Sequence, residues 1–451
     1  MIVLRLTLSW FSCGELRSRA GEMLCVATAR AAWIISMLVG AMLVGAGAIA
    51  ADPVRSEVVL RAETSFDGTL TDVTEQGEFV FVAGGQSRRI ATSELVRWGR
   101  YVDRGDGTQI LLTDGSILVA DVLNIESDAI SVIGRMWREA RLPRAAVRAI
   151  FFHLPADVEQ RDKLFYRALE PGKPESRLLL ANGDELAGSL PDTVSREAGA
   201  LQLTRVVWTV PEPGVAPVEV PLERVAAVLL PVELSQRAAG QIGGIVVGLR
   251  DGSLLRAQAM RRVNQGLEFQ TVNGISLTTD VLAGGSDGPW SDVVMLQPFP
   301  SHITYISDIP KLGYKDVPYL DREWPFQLDR SLSGGRLRHN NGVWVKGIAM
   351  HSGSRLAVEL GGSYEAFQAE LGIDQRAGRQ GSVVFRVYVQ DVNGDWQKAY
   401  ESGIVRGGDD LVPVRVDLAG APRLALLVDF ADRGDQWDHA LWLDARLVKR
   451  P

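Results

Sequence analysis

The sequence predicts a mainly β protein, in which a β-sandwich at residues 301–451 follows several small β-barrel-like units and one connecting helix. Apolar residues alternate with polar ones over short runs, turn residues separate these runs, and helical periodicity is confined to one segment. Alternation with a period of two indicates strands that bury one face in a core. Short strands between frequent turns, without intervening helices, are typical of a sandwich or barrel.

Six alternating runs define the predicted sandwich. Turn residues such as Gly361-Gly362, Asn393-Gly394 and Gly407-Gly408 separate them. The apolar residues expected to face the core are Leu356, Val358, Leu360; Phe367, Ala369, Leu371, Ile373; Val383, Phe385, Val387, Val389; Val412, Val414, Val416, Leu418; Leu424, Leu426, Val428, Phe430; and Leu441, Leu443, Ala445, Leu447.

Four similar stretches precede the sandwich, two within residues 52–155 and two within residues 176–300. Each reads as a hairpin with an Asp-Gly or Asn-Gly turn, followed by further short strands. The turns are Asp67-Gly68, Asp114-Gly115, Asn182-Gly183 and Asp251-Gly252. Glycine supplies the positive φ that such turns need, so these pairs indicate turns rather than ligands. The stretches resemble small Sm-like or SH3-like barrels.

One helix and its linker are predicted at residues 156–175, between the second and third units. Asp157 can cap the helix, and Val158, Phe165 and Leu169 can share one face. Pro171 to Pro174 then ends the helix. A second linker, Gly284 to Pro300, separates the fourth unit from the sandwich.

The first 50 residues read as a targeting segment. Arg30 precedes an apolar run, and Ala48-Ile49-Ala50 fits a cleavage site before Ala51, as in a secretory signal peptide. The run is also long enough for an uncleaved N-terminal anchor, which would be the chain's one link to a membrane. The sequence favours cleavage and a secreted, periplasmic or cell-envelope location.

Composition restricts the chemistry. Cys13 and Cys25 both precede Ala51, so a mature chain starting there would have no disulfide, thiolate metal site or cysteine nucleophile. The net charge is −7; the first 50 residues carry four arginines and two glutamates, which leaves −9 on the remainder. This charge argues against a nucleic acid partner. No zinc-binding histidine motif, nucleophile elbow or phosphate loop is present in the sequence.

A series of short motifs runs through the last third of the chain. These are Tyr305 to Asp308, Lys346 to Ser354, Phe367 to Asp374, Ser402-Gly403, Arg406 to Asp409, and Asp438 to Leu447. In order and spacing the series resembles the NPCBM family, a carbohydrate-binding module found beside glycoside hydrolase family 98 and α-galactosidase domains. The resemblance implies a galactose-binding-like β-sandwich (jelly roll) and a sugar-binding role, and does not imply catalysis. The turn Asp391 to Asp395 is longer than the family's usual turn, so ligand choice is expected to differ.

Candidate sugar-binding residues lie in or near these motifs. A sugar site needs an aromatic surface for the ring and a few directed polar groups for its hydroxyls. The candidates are Trp437, Asp438, His439, Asp435, Arg376, Trp396 and His351. For His351 the favoured interpretation is a buried, hydrogen-bonded residue, and for Asp438 and His439 both interpretations are open. Trp442 lies on a predicted strand and is expected in the core.

A calcium ion is the one cofactor that the sequence suggests. Asp432, Asp435 and Asp438 offer carboxylate oxygens, although their spacing matches no recognised calcium loop.

The expected function is non-catalytic glycan binding at the cell envelope or exterior, through the C-terminal module. Two alternatives are open: a structural or protein-interaction role in the envelope, and a glycoside hydrolase with catalytic residues in 55–300. A hydrolase needs two opposed carboxylates, and 55 Asp and Glu residues leave such a pair open.

Overall fold

The computed structural model describes residues 56–62, 64–170, 175–197, 199–231, 244–280, 288–317 and 323–449. These residues all lie in one compact unit, Pro53–Pro451. The predicted signal segment, both cysteines, the linker at 171–174 and part of the second linker lie outside the described residues. Within the described part of the chain, no helix is both long and apolar enough to span a membrane.

Short strands make up most of the region before the sandwich. In chain order, β1 to β22 are Ser56–Leu60, Ser65–Val73, Phe79–Ala83, Gln86–Ile90, Leu95–Gly99, Gln109–Leu112, Ile117–Val119, Asp121–Ile125, Ala129–Ile133, Ala140–Pro143, Val147–Phe151, Ser176–Leu180, Glu185–Gly188, Val194–Ser195, Arg205–Trp208, Val218–Pro221, Val225–Leu229, Ile245–Leu249, Leu254–Val263, Gly266–Thr271, Ser276–Thr278 and Val293–Pro298. Short 3-10 helices span Arg144–Ala146, Leu222–Arg224 and Pro289–Asp292.

The four predicted units join edge to edge. The large sheet runs β13-β12-β17-β11-β6-β7-β19-β18-β22-β5-β1-β2-β3-β4, with β20 and β21 added at β19; β10-β9-β8-β14 and β15-β16 form smaller sheets. All the pairings are antiparallel, including those that connect different units, such as β11 with β17 and β22 with β5. One hydrophobic cluster contains Val58, Leu118, Leu178 and Leu255, one from each unit. The units therefore share a core in this structure.

The predicted helix is confirmed as α1, Val158–Leu169. The Asp157 carboxylate accepts a hydrogen bond of 2.9 Å from the Gln160 amide and caps the first turn. Phe165 and Leu169 pack with apolar residues of the sheet. The helix also buries Arg161 and Asp162, two charged residues that its apolar pattern does not predict.

The last third is a sandwich of two antiparallel sheets, in agreement with the predicted fold class. Its strands, β23 to β36, are Ile303–Tyr305, Lys311–Asp316, Gln327–Leu328, Leu337–His339, Gly342–Trp344, Gly347–His351, Ser354–Glu359, Tyr364–Ile373, Ser382–Gln390, Trp396–Glu401, Val405–Arg406, Val412–Asp417, Arg423–Phe430 and His439–Lys449, with 3-10 helices at Ile306–Asp308 and Gln375–Ala377. One sheet is ordered β25-β28-β36-β30-β34, with β23 on β36. The other is ordered β24-β29-β35-β31-β32, with β33 on β31. Their inner faces form one core that includes Phe367, Phe385, Leu426 and Trp442.

The last strand, β36, departs from the predicted alternation. Trp442 and Leu447 lie in the core between the sheets, as expected for Trp442, but Leu441 and Leu443 lie in a separate cluster with Trp344. The prediction that Leu441 and Leu443 share a core face with Leu447 is therefore wrong. Asp444 has a φ of 48°, and the register of β30 against β36 shifts near it. This irregularity exchanges the faces of the strand, since one extra residue reverses the alternation.

Buried ion pairs connect the N-terminal sheet to the sandwich. Arg97 on β5 contacts Glu370 at 2.9 Å and Asp444 at 3.3 Å. Asp162 on α1 accepts hydrogen bonds from Arg336 and Arg338, next to and on β26. Separating the two partners of a buried ion pair leaves an uncompensated buried charge, which is costly. These contacts therefore hold the sandwich in its orientation on the N-terminal sheet.

Candidate functional site

Four aromatic rings form a continuous row at one end of the sandwich. His351 closes β28 and His439 opens β36; the two residues are paired in register, and their ring centres lie 6.1 Å apart. Trp324 stacks on His351 at 4.9 Å, with an interplanar angle of 5°. The ring centre of His439 lies 5.5 Å from that of Trp324 and 5.6 Å from that of Trp437. Trp324, His351, His439 and Trp437 are called the aromatic row below.

The accessible part of the row consists of its tryptophans. The side chain of Trp437 is 39% exposed and Trp324 is half-buried, whereas His351 and His439 are 4% and 8% exposed. The two histidines are therefore the buried members of the row, which agrees with the favoured interpretation of His351 as a buried residue.

The backbone of the loop holds Trp437 outward. Trp437 has a φ of 62°, which is unusual for a residue other than glycine. Its carbonyl accepts a hydrogen bond of 2.7 Å from the His439 amide. Gly381 packs against that carbonyl so closely that a Cβ there would lie 2.4 Å from the oxygen. Strain of this kind persists where the surroundings enforce it, and it is common at ligand sites.

Asp438 anchors the loop from within. Its side chain is fully buried, and its Oδ1 accepts a hydrogen bond of 2.7 Å from the Ser382 amide at the start of β31. Burial raises the pKa of Asp438 to about 6, although the Ser382 amide and the Ser352 hydroxyl both oppose the rise. Asp438 therefore acts on the aromatic row through the loop backbone.

Asp374 anchors the neighbouring turn. Its amide donates to the His439 carbonyl at 2.8 Å, and its carboxylate accepts from the Arg376 amide at 2.9 Å. Burial raises the pKa of Asp374 to about 6, against the influence of that amide and of the Arg376 charge.

Arg376 is near the row through its backbone alone. Its guanidinium pairs with the Glu159 carboxylate of α1, so the side chain is directed towards the helix. Asp435 lies in the loop, half-buried, and its carbonyl accepts a hydrogen bond of 3.3 Å from the Asp438 amide. Of these two predicted site residues, Asp435 is the one placed beside Trp437.

Trp396 lies at the opposite end of the sandwich. It pairs with Gln390 at the end of β31, whereas Ser382 at the start of β31 binds Asp438. The eight residue steps from Ser382 to Gln390 correspond to about 26 Å at the usual rise of a strand. Trp396 is 41% exposed, but the structure does not bring it together with the aromatic row.

The three aspartates suggested for calcium do not converge. Asp432 pairs with Arg406, and Asp438 is buried against the Ser382 amide. Across the described residues, no group of three or more His, Cys, Asp or Glu side chains is arranged to hold a metal ion. Calcium binding stays a prediction of the sequence, since backbone carbonyl oxygens also serve as calcium ligands.

Trp324 is a member of the row that the sequence analysis missed. It lies before β25, in a segment without alternation, so no strand pattern marks it. The Asp316 carboxylate accepts from its amide at 2.7 Å, and the Tyr314 hydroxyl donates to its carbonyl at 2.6 Å. The signal available in the sequence was the aromatic pair in Glu323-Trp324-Pro325-Phe326.

Three residues at this end of the sandwich belong to the sequence motifs: His351 lies in Lys346 to Ser354, and Asp438 and His439 lie in Asp438 to Leu447. Residues 304–448 match the NPCBM/NEW2 domain. This match confirms the resemblance for the C-terminal third and makes that domain similar to carbohydrate-binding modules.

A curated relative also matches this region. A protein of Renibacterium salmoninarum, whose name places it among the endo-alpha-N-acetylgalactosaminidases, is 27% identical over 162 residues. The match covers 32% of the present chain and 10% of that protein, so the chain spans about a tenth of the length of this relative.

Solved structures of carbohydrate-binding modules are similar as well. A CBM51 module from Clostridium perfringens GH95, in complex with methyl-galactose, is 27% identical in sequence. The match covers 32% of the present chain and 99% of the module, with a TM-score of 0.29. The tandem CBM51 modules of a Streptococcus pneumoniae family 98 glycoside hydrolase are 10% identical and cover 88% of each chain, with a TM-score of 0.28.

Proposed function

We propose that this protein binds glycans through the aromatic row of its C-terminal sandwich, without catalysing a reaction there. The observation that carries the proposal is the exposed indole of Trp437, which shares the neighbouring ring of His439 with Trp324 and stands on a strained loop. The apolar face of a sugar ring stacks on an exposed indole, and nearby polar groups bind its hydroxyls. The match to the NPCBM/NEW2 domain supports the same function.

The polar groups beside Trp437 suit a sugar. Arg433 and Asp435 lie four and two residues before Trp437 in the same loop, and the Arg433 side chain donates to the Arg379 carbonyl at 2.8 Å. A carboxylate accepts from sugar hydroxyls and a guanidinium donates to ring or hydroxyl oxygens. The arrangement provides binding groups at a loop end, where a sandwich has room for a ligand.

A glycan array probed with the full chain tests the proposal. We expect saturable binding to a restricted set of glycans, and loss of that binding in a Trp324→Ala, Trp437→Ala double variant that still unfolds cooperatively. An array without binding, from folded protein, contradicts the proposal. Capture of envelope proteins by that same sample would instead favour the structural role.

We also propose that the protein is exported. The proposal rests on Arg30, the apolar run and the Ala48-Ile49-Ala50 site. N-terminal sequencing of protein from the native host is expected to begin near Ala51. Recovery of the intact apolar segment in the membrane fraction would show an anchor instead.

A further inference from the structure

A cleft of about 430 Å³ lies on the N-terminal sheet, apart from the aromatic row. Its walls come from the β1–β2 hairpin, from the end of β5 with the segment after it, and from the ends of β18 and β22. The volume falls in the usual range of small-ligand pockets, about 300–1,000 Å³. The sequence predicts a turn at Asp67-Gly68, but the structure places both residues within β2, where they pair with β1, and Asp67 lines this cleft.

Gly99 lines the cleft, and Gly252 packs against Arg104 of its lining. Gly99 has a φ of 71°, and a Cβ there would lie 2.0 Å from the Val294 carbonyl oxygen. Gly252 has a φ of 95° and underlies the Arg104 side chain, whose Cβ would be 3.0 Å from a Cβ at Gly252. The Tyr101 hydroxyl donates to the Gly252 carbonyl at 2.7 Å and fixes this turn. Arg104 is therefore supported from below at the cleft wall.

One wall of the cleft is basic. Arg97 is neutralised by Glu370 and Asp444, and Arg250 donates to the Ser291 carbonyl and lies 3.8 Å from Asp292. Arg100 and Arg104 are exposed and, within the described ranges, have no carboxylate within 4.0 Å. Arg100 also lies over the Trp344 ring, 5.8 Å from its centroid, and such a contact leaves its N–H groups able to donate to a ligand. Arg100 and Arg104 are therefore the guanidiniums of this lining that have no ion pair in the described part of the chain.

Two carboxylates also line the cleft. Glu57 and Asp67 are directly paired in register on β1 and β2, and both are exposed. Like charges directly opposite each other weaken a hairpin, so this pair has no stabilising role in the sheet. In the part of the chain that the structure describes, neither carboxylate has a cationic partner within 4.0 Å. Glu57 and Asp67 therefore line the same cleft as the arginines without forming an ion pair with them, although the charge of Glu57 acts on Arg97.

We propose that this cleft is a second binding site, for a sugar that carries an anionic group, with a hexuronate as the chemistry that fits it best. Planar guanidiniums at Arg100 and Arg104 match a carboxylate in bidentate geometry. The Glu57 and Asp67 carboxylates accept hydrogen bonds from sugar hydroxyls and repel a second negative charge. The presence of both arginines and carboxylates favours a sugar ring that has one anionic group and neighbouring hydroxyls over a free inorganic anion.

Calorimetric titration of the full chain with methyl galacturonoside, galactose 6-sulfate, methyl-galactoside and inorganic sulfate tests the site. We expect saturable binding of an anionic sugar that weakens as salt rises. Arg104→Gln and Glu57→Gln should each weaken it about tenfold, since each removes a hydrogen bond to a charged group. The control Arg89→Gln removes an exposed arginine on β4 and should leave binding unchanged. Tighter binding of methyl galacturonoside than of galactose 6-sulfate supports the hexuronate, and the reverse order contradicts it in favour of a sulfate ester.

Trp437→Ala separates this site from the proposed glycan site. It should leave binding of the anionic sugar intact while weakening any glycan held by the aromatic row. Absence of saturable binding to both anionic sugars overturns the second site. It is also overturned if inorganic sulfate binds as tightly as the sugar, or if Trp437→Ala abolishes the binding that Arg104→Gln leaves unchanged.

Discussion

The Arg338 guanidinium donates two hydrogen bonds to the Asp162 carboxylate, at 2.8 Å and 3.1 Å, although 176 residues separate them in the chain. Both side chains are buried, Asp162 on α1 and Arg338 on β26. Arg336 adds a hydrogen bond of 2.8 Å to Asp162, and the Asp103 carboxylate lies 3.1 Å and 2.8 Å from Arg336 and Arg338. This cluster joins the N-terminal sheet and its helix to the sandwich.

Replacing Asp162 with Ala should destabilise the protein by about 3–5 kcal/mol, because it leaves two buried guanidiniums with one carboxylate fewer. Chemical denaturation measures the change. The matched control is Glu159→Gln on the same helix, where surface ion pairs with Lys163 and Arg376 should contribute less than about 1 kcal/mol. Equal effects of the two substitutions would contradict a buried role for Asp162.

Protonation of Asp162 should lower the stability of the protein in acid. Burial alone would raise the pKa of Asp162, but the hydrogen bonds and charges of Arg338 and Arg336 overcome it and hold the pKa at about 2. A carboxyl with a lowered pKa stabilises the fold above its ordinary pKa of 3.8 and loses that contribution as pH falls towards 2. Unfolding free energies measured from pH 5 to pH 2 should fall less steeply in Asp162→Asn than in the natural protein. Parallel profiles would contradict the assignment.

Asp438 should have the opposite pH dependence. Because burial raises its pKa to about 6, the protonated form favours the fold, and this contribution is lost as pH rises from about 4 through 6. Asp438→Asn should remove about 1–3 kcal/mol of that decline, since the amide oxygen can still accept from the Ser382 amide. Denaturation from pH 4 to pH 8 measures it. Asp374→Asn should act in the same direction, and an unchanged slope in both variants would contradict the expectation.

Trp437→Ala should weaken glycan binding by about 1–2 kcal/mol, the loss expected for one stacked aromatic contact and its buried area. Trp396→Ala is the matched control, because Trp396 is equally exposed but lies at the other end of the sandwich. Titration with the best array ligand compares the two variants. If Trp396→Ala weakens binding and Trp437→Ala does not, the site is at the β31–β32 hairpin.

Leu426→Ala should lower the stability of the fold and leave the aromatic row intact. Leu426 is fully buried in the core between the sheets, so its truncation should reduce the free energy of unfolding by about 2–5 kcal/mol. Binding per folded molecule should be unchanged. A selective loss of binding would show that the core controls the position of the loop.

Residues 301–451 are expected to fold alone, because this length supports an independent core and most of that core comes from one cluster. The isolated domain should melt cooperatively but at a lower temperature than the full chain. Without the N-terminal region, Arg336 and Arg338 lose Asp162 and Asp103, and Asp444 loses Arg97. A broad, non-cooperative melt would contradict the domain boundary at residue 301.

The local patterns of the sequence determined the fold class, helix α1 and most core faces of the sandwich. Alternation of period two in Phe367, Phe385 and Leu426 reflects burial of one strand face, which is a local property. The cap at Asp157 is equally local, since the carboxylate binds an amide three residues away. The motifs around His351 and His439 likewise indicated the end of the sandwich where the aromatic row lies.

Only the tertiary structure decided which of the candidate residues meet. Arg376 turns towards α1, Trp396 lies at the far end of β31, and Trp324 joins the row from a segment without any pattern. The reversal of faces at Asp444 was also invisible, because β36 is buried on both sides and alternation carries no signal there. The Asp162 cluster depends on contacts between residues far apart in the chain. Such contacts are set by packing between elements, which periodicity within one element does not encode.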